Sequence, residues 1–365
     1  MKTEILVVGG YGHVGKIICT KLSDRYPGKV VAAGRSLQRA EQLSRETAGK
    51  VKALQLDIQE AVDPELLRRF KLVVMCLDQA DSAFVRACLL TGTHYIDITA
   101  KGIFLNQVEQ LANIARDNGA TAVLSVGLAP GLTNLLASRA IQWLDHTEAI
   151  EISIMLGLGD RHGTAAIEWT IDQIDASFEV IENGQRQTVS SFTDGRRTNF
   201  GWELGSRRAY RFPFSDQQTL ARTLNVPSVA TRLCFDSAVV TEMVANLRTW
   251  GMLRVLHTRW ARRTAVSLFH KLRFGTDKFA LKIDAWGIRN GNNAKIESIL
   301  QGRNQSEMTA LVTAFAADTI YRSDFLPGVY HLEQLLEVRS LESWLEKFAN
   351  LDIQIQDEMN YQSNK

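Results

Sequence analysis

A chain of 365 residues, 45% of them hydrophobic, can bury the cores of two domains, or of one large domain carrying an insertion. Its 42 Lys and Arg against 40 Asp and Glu leave a formal charge of +2, without the strong basic excess of a bulk nucleic-acid binder. Cys19, Cys76, Cys88 and Cys234 show neither CxxC pairing nor metal-ligand spacing, so no metal site and no disulfide framework is expected, and a reducing cytoplasmic setting fits.

Met1-Lys2-Thr3-Glu4 leads directly into an apolar strand, with no signal-peptide pattern, and no run of about 18 apolar residues predicts an integral membrane segment. The first third alternates strand and helix. Strands are predicted over Ile5–Val8, Val30–Ala33, Lys52–Asp57, Leu72–Leu77, His94–Thr99 and Thr121–Val126, with helices between them, including Ala83–Thr91 and Asn106–Asn118. Such alternation implies parallel βαβ units, a doubly wound sheet covered on both faces.

The first strand–helix turn reads Gly10-x-Gly12-His13-Val14-Gly15. In that position the pattern is a dinucleotide fingerprint. Gly10 permits the tight turn, Gly12 lets the backbone approach a pyrophosphate, and Gly15 lets the helix lie close to the strand. At the end of the second strand an NAD site carries Asp or Glu; here stand Gly34-Arg35-Ser36. Arg35 suits a ribose 2′-phosphate and Ser36 adds a hydroxyl, so NADP is the expected cofactor. Asp57, ending the third strand, either contacts the adenine region or caps a turn.

In an open α/β sheet the chemistry sits beyond the carboxyl ends of the strands. There the sequence places Asp78-Gln79, then Asp97 to Lys101, then Gly127-Leu128-Ala129-Pro130-Gly131-Leu132-Thr133-Asn134. Asp78 and Gln79 are candidates for the nicotinamide ribose. Lys101 is the preferred catalytic candidate, as a general acid or base, against the reading of a surface lysine. Asp97 orients a turn or meets substrate. His94 and Tyr95 open their strand and are expected far from its active end. Asn134 is a helix cap or a substrate contact.

Gly10-x-Gly12-x-Val14-Gly15, the His94-Tyr95-Ile96-Asp97-Ile98-Thr99 strand and the Gly127–Asn134 turn together resemble the saccharopine dehydrogenase-like oxidoreductases over residues 1–140, and more loosely in element order to about residue 350. The resemblance implies an NADP-binding Rossmann domain and a second, mixed α/β domain often used for dimerisation, hence a homodimer. It also implies chemistry on secondary amines joining amino acids or polyamines, or on other unsaturated bonds. Relatives often carry an acidic residue where Lys101 stands, so their catalytic assignment does not transfer.

Beyond residue 144 the pattern changes. Strands are predicted over Glu148–Leu156 and Val229–Phe235, and hairpins around Glu182-Asn183-Gly184-Gln185 and Arg289-Asn290-Gly291-Asn292-Asn293. Arg161, in a polar loop, and Arg208, in a cationic stretch, are candidate partners for a substrate carboxylate. Arg248–Arg273 holds seven Lys or Arg and no Asp or Glu, with Trp250, Leu253, Leu256 and Trp260 at helical spacing. That suits peripheral contact with an anionic membrane, or a helix pair with a solvated basic face, which the break at Arg262-Arg263 favours.

The expected organisation is a Rossmann domain over 1–135 and a mixed α/β substrate or dimerisation domain over 136–325. A segment over 326–352 returns to the first domain, with helices near Glu307–Tyr321 and Leu341–Phe348 packing there, and a loosely held tail covers 353–365. Three functions stay open: NADPH-dependent reduction of an imine, or oxidation of a secondary amine, on an amino-acid-derived small molecule; reduction of a C=C or C=O bond on a lipid-like or carrier-bound substrate; and a non-catalytic NADP-binding regulator.

Overall fold

The computed structural model describes residues 2–160, 163–271, 275–345 and 354–361. Its sixteen strands are, in chain order, β1 (Glu4–Val8), β2 (Val30–Gly34), β3 (Val51–Gln55), β4 (Phe70–Met75), β5 (His94–Asp97), β6 (Thr121–Leu124), β7 (His146–Leu156), β8 (Ser177–Glu182), β9 (Gln185–Ser190), β10 (Arg196–Asn199), β11 (Ser206–Arg211), β12 (Ser228–Phe235), β13 (Lys278–Arg289), β14 (Asn292–Arg303), β15 (Gly328–His331) and β16 (Gln354–Tyr361).

The chain forms two compact units, Met1–Leu132 with Ser306–Leu336, and Thr133–Gln305 with Glu337–Lys365. In the first, seven parallel strands run in the order β15-β6-β5-β4-β1-β2-β3. The order reverses between β4 and β1, which is the switch point of a Rossmann sheet and the place where a dinucleotide lies across the strand ends. The central strands are short runs such as Ile5-Leu6-Val7-Val8 and Val73-Val74-Met75, with no exposed face, as a sheet covered on both sides requires. A core of Leu6, Val8, Val73, Phe84, Leu89, Phe104, Leu105 and Leu124 fills one side.

The second unit holds a nine-stranded mixed sheet, β10-β11-β12-β7-β13-β14-β16, with β8 paired to β12 and β9 paired to β8. Here β7 and β12 are parallel and the other pairs antiparallel. Strand β13 alternates in direction. Phe279, Leu281, Ile283 and Ala285 point one way; Lys282 and Asp284 point the other, where Lys282 meets Glu297 at 2.7 Å and Lys295 meets Asp284 at 2.7 Å. The architecture is thus α/β, a doubly wound parallel sheet with a second mixed domain.

Several expectations need correction. Helix Gln305–Arg322 lies, from Ser306, in the first unit, as expected of the helix near Glu307–Tyr321, so the boundary at 325 is what fails. Asp318 near its end meets Arg25 at 2.7 Å and the Tyr26 hydroxyl at 2.6 Å, and Tyr321 donates to the Thr3 carbonyl at 2.8 Å. Helix Val338–Leu345 falls in the second unit, where Glu342 pairs with Arg139 at 2.7 Å. The residues read as a loose tail include β16, which pairs antiparallel with β14. The helix read over Asn106–Asn118 is two, Gly102–Glu109 and Ala112–Asp117. The second hairpin turns on Asn290-Gly291 alone, both at positive φ, so Arg289 and Asn292 already lie in strands.

Candidate functional site

The cofactor cradle forms where β1 meets helix His13–Arg25. The left-handed residue of this turn is Gly9, at φ +77°, rather than Gly10. Gly10 matters for another reason: a Cβ there would lie 2.8 Å from the Val7 carbonyl and 2.9 Å from Ala32 of β2. Gly15 plays its expected part, since a Cβ would lie 2.3 Å from the Gly9 carbonyl. Gly12 caps the helix with no side chain of its own, and the first turn carries no acidic residue. The first N–H groups, with exposed His13 and half-buried Val14 beside them, are therefore left to an anion such as a pyrophosphate.

Beyond β2, Arg35 is exposed, and Ser36 caps the next helix by accepting from the Arg39 N–H at 3.4 Å. The Tyr11 hydroxyl accepts from the Ser36 N–H at 3.0 Å, and the Arg39 guanidinium lies 4.7 Å from the Tyr11 ring centre. Arg35 thus stands exposed just beyond the strand end and Arg39 in the first turn of the next helix, with no carboxylate at the strand end. Tyr11 and Arg39 were not read from the sequence. Arg39 lies four residues beyond Arg35, in the first turn of a helix whose start at Leu37 the sequence does indicate. Asp57 accepts from the Gln59 N–H at 3.0 Å and caps the turn after β3, the second of its two readings.

The adjoining ends of β4 and β5 carry the ionisable groups. Asp97 has no solvent exposure. Its carboxylate accepts from the Tyr95 hydroxyl, from Gln79 Nε2 at 3.0 Å and from the Thr99 N–H at 2.8 Å. Burial pushes the Asp97 carboxyl up to about 7, against the Tyr95 and Thr99 hydrogen bonds, which favour its charged form. Burial, and then Asp97, also raise the Tyr95 hydroxyl well above its ordinary range. Tyr95 begins its strand, yet it shares a face with Asp97 two residues on, and its long ring brings the hydroxyl to the active end. The expectation that it lies far away is corrected.

Above this buried group sits an accessible ion pair. Lys101 Nζ lies 2.9 Å from Asp78, each side chain about two-fifths exposed (41% and 42%). Thr99 links the layers: its hydroxyl reaches Asp78 at 3.5 Å and accepts from the Lys101 N–H at 3.3 Å. Gln79 Nε2 also donates to the Tyr95 hydroxyl at 2.7 Å, while its buried Oε1 has no hydrogen-bond partner among the described residues. That orphaned acceptor fits a donor on a bound molecule, such as a ribose hydroxyl or a carboxamide.

At the end of β6, Ser125 adopts φ +55° and its hydroxyl lies 2.8 Å from His331 Nδ1, while His331 Nε2 lies 2.8 Å from Glu109. The turn that follows contains a cis Ala129–Pro130 bond. Asn134 is buried at the start of helix Thr133–Ile141 in the second unit, within 3.3 Å of the Thr133 hydroxyl. Arg208 is exposed on β11, and Arg161 lies outside the described residues. Among the described residues no group of three or more His, Cys, Asp or Glu is placed to hold a metal ion.

Residues 5–123 match the model of the saccharopine dehydrogenase NADP binding domain. The fold resembles the apo histidine-tagged saccharopine dehydrogenase (L-Glu forming) from Saccharomyces cerevisiae, with a TM-score of 0.70 at 13% identity over 98% of this chain and 100% of that one. At that identity the likeness is one of fold. An amine dehydrogenase from Mycobacterium smegmatis (TM-score 0.48, 11% identity, 92% of this chain and 97% of that one) is more distant, as is the C. glutamicum DAP dehydrogenase in complex with DAP (0.46, 11%, 95% and 99%). Neither carries weight for this chain.

Proposed function

We propose that the protein, whose residues 5–123 match the saccharopine dehydrogenase NADP binding domain, is an NADPH-dependent oxidoreductase that interconverts an imine and a secondary amine on an amino-acid-derived substrate. The observation that carries this reading is the Lys101–Asp78 pair, accessible at the ends of β4 and β5 beside the switch point and braced by the buried Asp97. The cofactor supplies or accepts the hydride, and the proton that balances the reaction is this chain's to handle.

Lys101 is the group proposed to hold that proton, donating it to the substrate nitrogen on reduction and taking it back on oxidation. Asp78 fixes the ammonium in place. Asp97 is a positioning residue: with no exposure it cannot touch substrate, but it anchors Tyr95, Gln79 and the Thr99 backbone and so sets where Lys101 stands. Gln79 Oε1 offers its open acceptor to the bound cofactor, and Arg35, Ser36 and Arg39 hold the 2′-phosphate.

The test is NADPH consumption in the presence of 2-oxo acids paired with amines of amino acids, which form imines in solution. Lys101→Met is expected to lower turnover by ~10²–10⁴-fold, the span of general acid–base catalysis, while NADPH binding stays the same. Turnover of Lys101→Met within a factor of about two of the parent would remove Lys101 from the mechanism. Tight NADPH binding without consumption across the whole panel would leave the protein a non-catalytic NADP-binding regulator.

A further inference from the structure

Half of the large hydrophobic side chains that are exposed among the described residues fall between residues 238 and 271 of the second unit. The segment comprises helix Ala238–Thr249, the 3-10 turn Met252–His257 and helix Arg259–Lys271. The sequence spaces Trp250, Leu253, Leu256 and Trp260 as one apolar stripe, and the structure splits it. Leu253 is buried, and Leu256 packs against Ile167, Ile171 and Val266. The two tryptophans turn outward, 69% and 68% exposed.

The outward residues follow helical geometry. In a 3-10 turn, residues three apart eclipse, which aligns the exposed Met252 and Val255. On helix Arg259–Lys271, Trp260, Arg263 and Leu268 are exposed, whereas Ala261 and Val266 are buried.

The charges divide the same way. Arg248 lies 2.8 Å from Asp175, and Arg262 lies 2.6 Å from Asp172, so acidic residues from the neighbouring helix Thr164–Gln173 and the turn after it neutralise the inner arginines. Arg254, Arg259 and Arg263 are exposed and have no ion pair among the described residues. Exposed aromatic and aliphatic side chains therefore lie within the same short segment as three cations that have no ion pair among the described residues.

We infer that this surface docks on an anionic phospholipid bilayer, with Trp250 and Trp260 entering the interface and Arg254, Arg259 and Arg263 meeting the headgroups. Tryptophan suits that depth because its ring is apolar while its N–H still finds a partner. Docking is peripheral, in the plane of the interface, since no helix of the described residues is long and apolar enough to cross a membrane. A second copy is disfavoured as occupant, because a two-fold contact through this face would set its arginines against one another. The inference is independent of the chemistry proposed for the Rossmann unit.

The experiment is flotation of the full chain with vesicles of phosphatidylcholine alone and of phosphatidylcholine mixed with phosphatidylserine. Binding is expected to the mixed vesicles only, and to weaken with salt. Replacing Arg254, Arg259 and Arg263 together by Ala should weaken it about fivefold for each arginine, from ~1 kcal/mol per charge near the surface. Trp250→Ser with Trp260→Ser should abolish it. Unchanged NADPH binding in both variants shows that they fold, since none of these residues lies in the cofactor cradle. Absence of parent binding to the mixed vesicles, or equal binding by both variants, overturns the inference. So does a parent dimer that the tryptophan variant dissociates, which would assign the face to a second copy.

Discussion

In the proposed cofactor site Arg35 and Arg39 would divide one task, presenting two guanidinium groups to a phosphate that NADH lacks. Replacing both by Ala should weaken NADPH binding by ~10²-fold or more, since a hydrogen bond to a charged group is worth about 1.5–3 kcal/mol, and should leave NADH binding unchanged. Fluorescence titration with both nucleotides decides this; equal losses for the two would mean that the arginines do not meet the 2′-phosphate. Asp97 makes a prediction in pH. Its carboxyl titrates at about 7 in the folded chain against 3.8 for the free group, so between those values the native state binds more protons than the unfolded one. Stability should therefore fall as pH rises from about 4 to about 7 and level off above, by up to about 4 kcal/mol at 1.36 kcal/mol per pH unit. Asp97→Asn should flatten that slope in urea titrations run across the range; a variant with the parental slope would assign it to other groups. Arg35 and Ser36 could be proposed from the sequence because they stand a fixed distance beyond the fingerprint. The Tyr95–Asp97–Gln79 group was not, because it depends on how far a tyrosine ring reaches along a strand and on which turn folds back over it.

Elements with local signals were read well, and those made by distant pairing were not. Asn183-Gly184 and Asn290-Gly291 both adopt the positive φ values that a two-residue hairpin requires, and the sequence spelled out both turns. Strand β10, Arg196-Arg197-Thr198-Asn199, carries no apolar alternation; it exists because β11 pairs with it. Strands β15 and β16 likewise owe their form to neighbours far away in the chain, β6 and β14. Two predictions belong to this scale. Gly15→Ala puts a Cβ 2.3 Å from the Gly9 carbonyl, backbone against backbone, so helix His13–Arg25 must move off the turn. Overpacking of this kind costs ~1–3 kcal/mol, and NADPH affinity should fall together with the denaturant midpoint. If Gly15→Ala bound NADPH as the parent does, the close approach would not matter to the cradle. His331 joins the ends of β15 and β6 to helix Gly102–Glu109 through Ser125 and Glu109, and it caps helix Leu332–Leu335. His331→Ala should cost ~1–3 kcal/mol for the buried Ser125 hydroxyl that loses its partner, read as a lower midpoint in urea. A midpoint equal to the parent's would show that Ser125 finds another partner.

In the whole molecule the chain crosses between its two units three times, after Leu132, Gln305 and Leu336. The cofactor unit is therefore not the N-terminal piece that a boundary at residue 135 describes. A fragment of residues 1–135 would leave β6 as an open edge and Arg25 and Tyr26 without Asp318. It should aggregate or fail to bind NADPH, whereas the same fragment linked to residues 306–336 should be monomeric and bind it. Binding by the short fragment alone would show the returning segment to be dispensable. The same connectivity has a consequence for synthesis. About 200 residues separate Leu132 from Leu336, and a ribosome adding ~5–20 residues per second takes roughly 10–40 s to make them. Through that interval the nascent Rossmann sheet waits with its last edge bare, so the part of the protein that is read first is among the last to close.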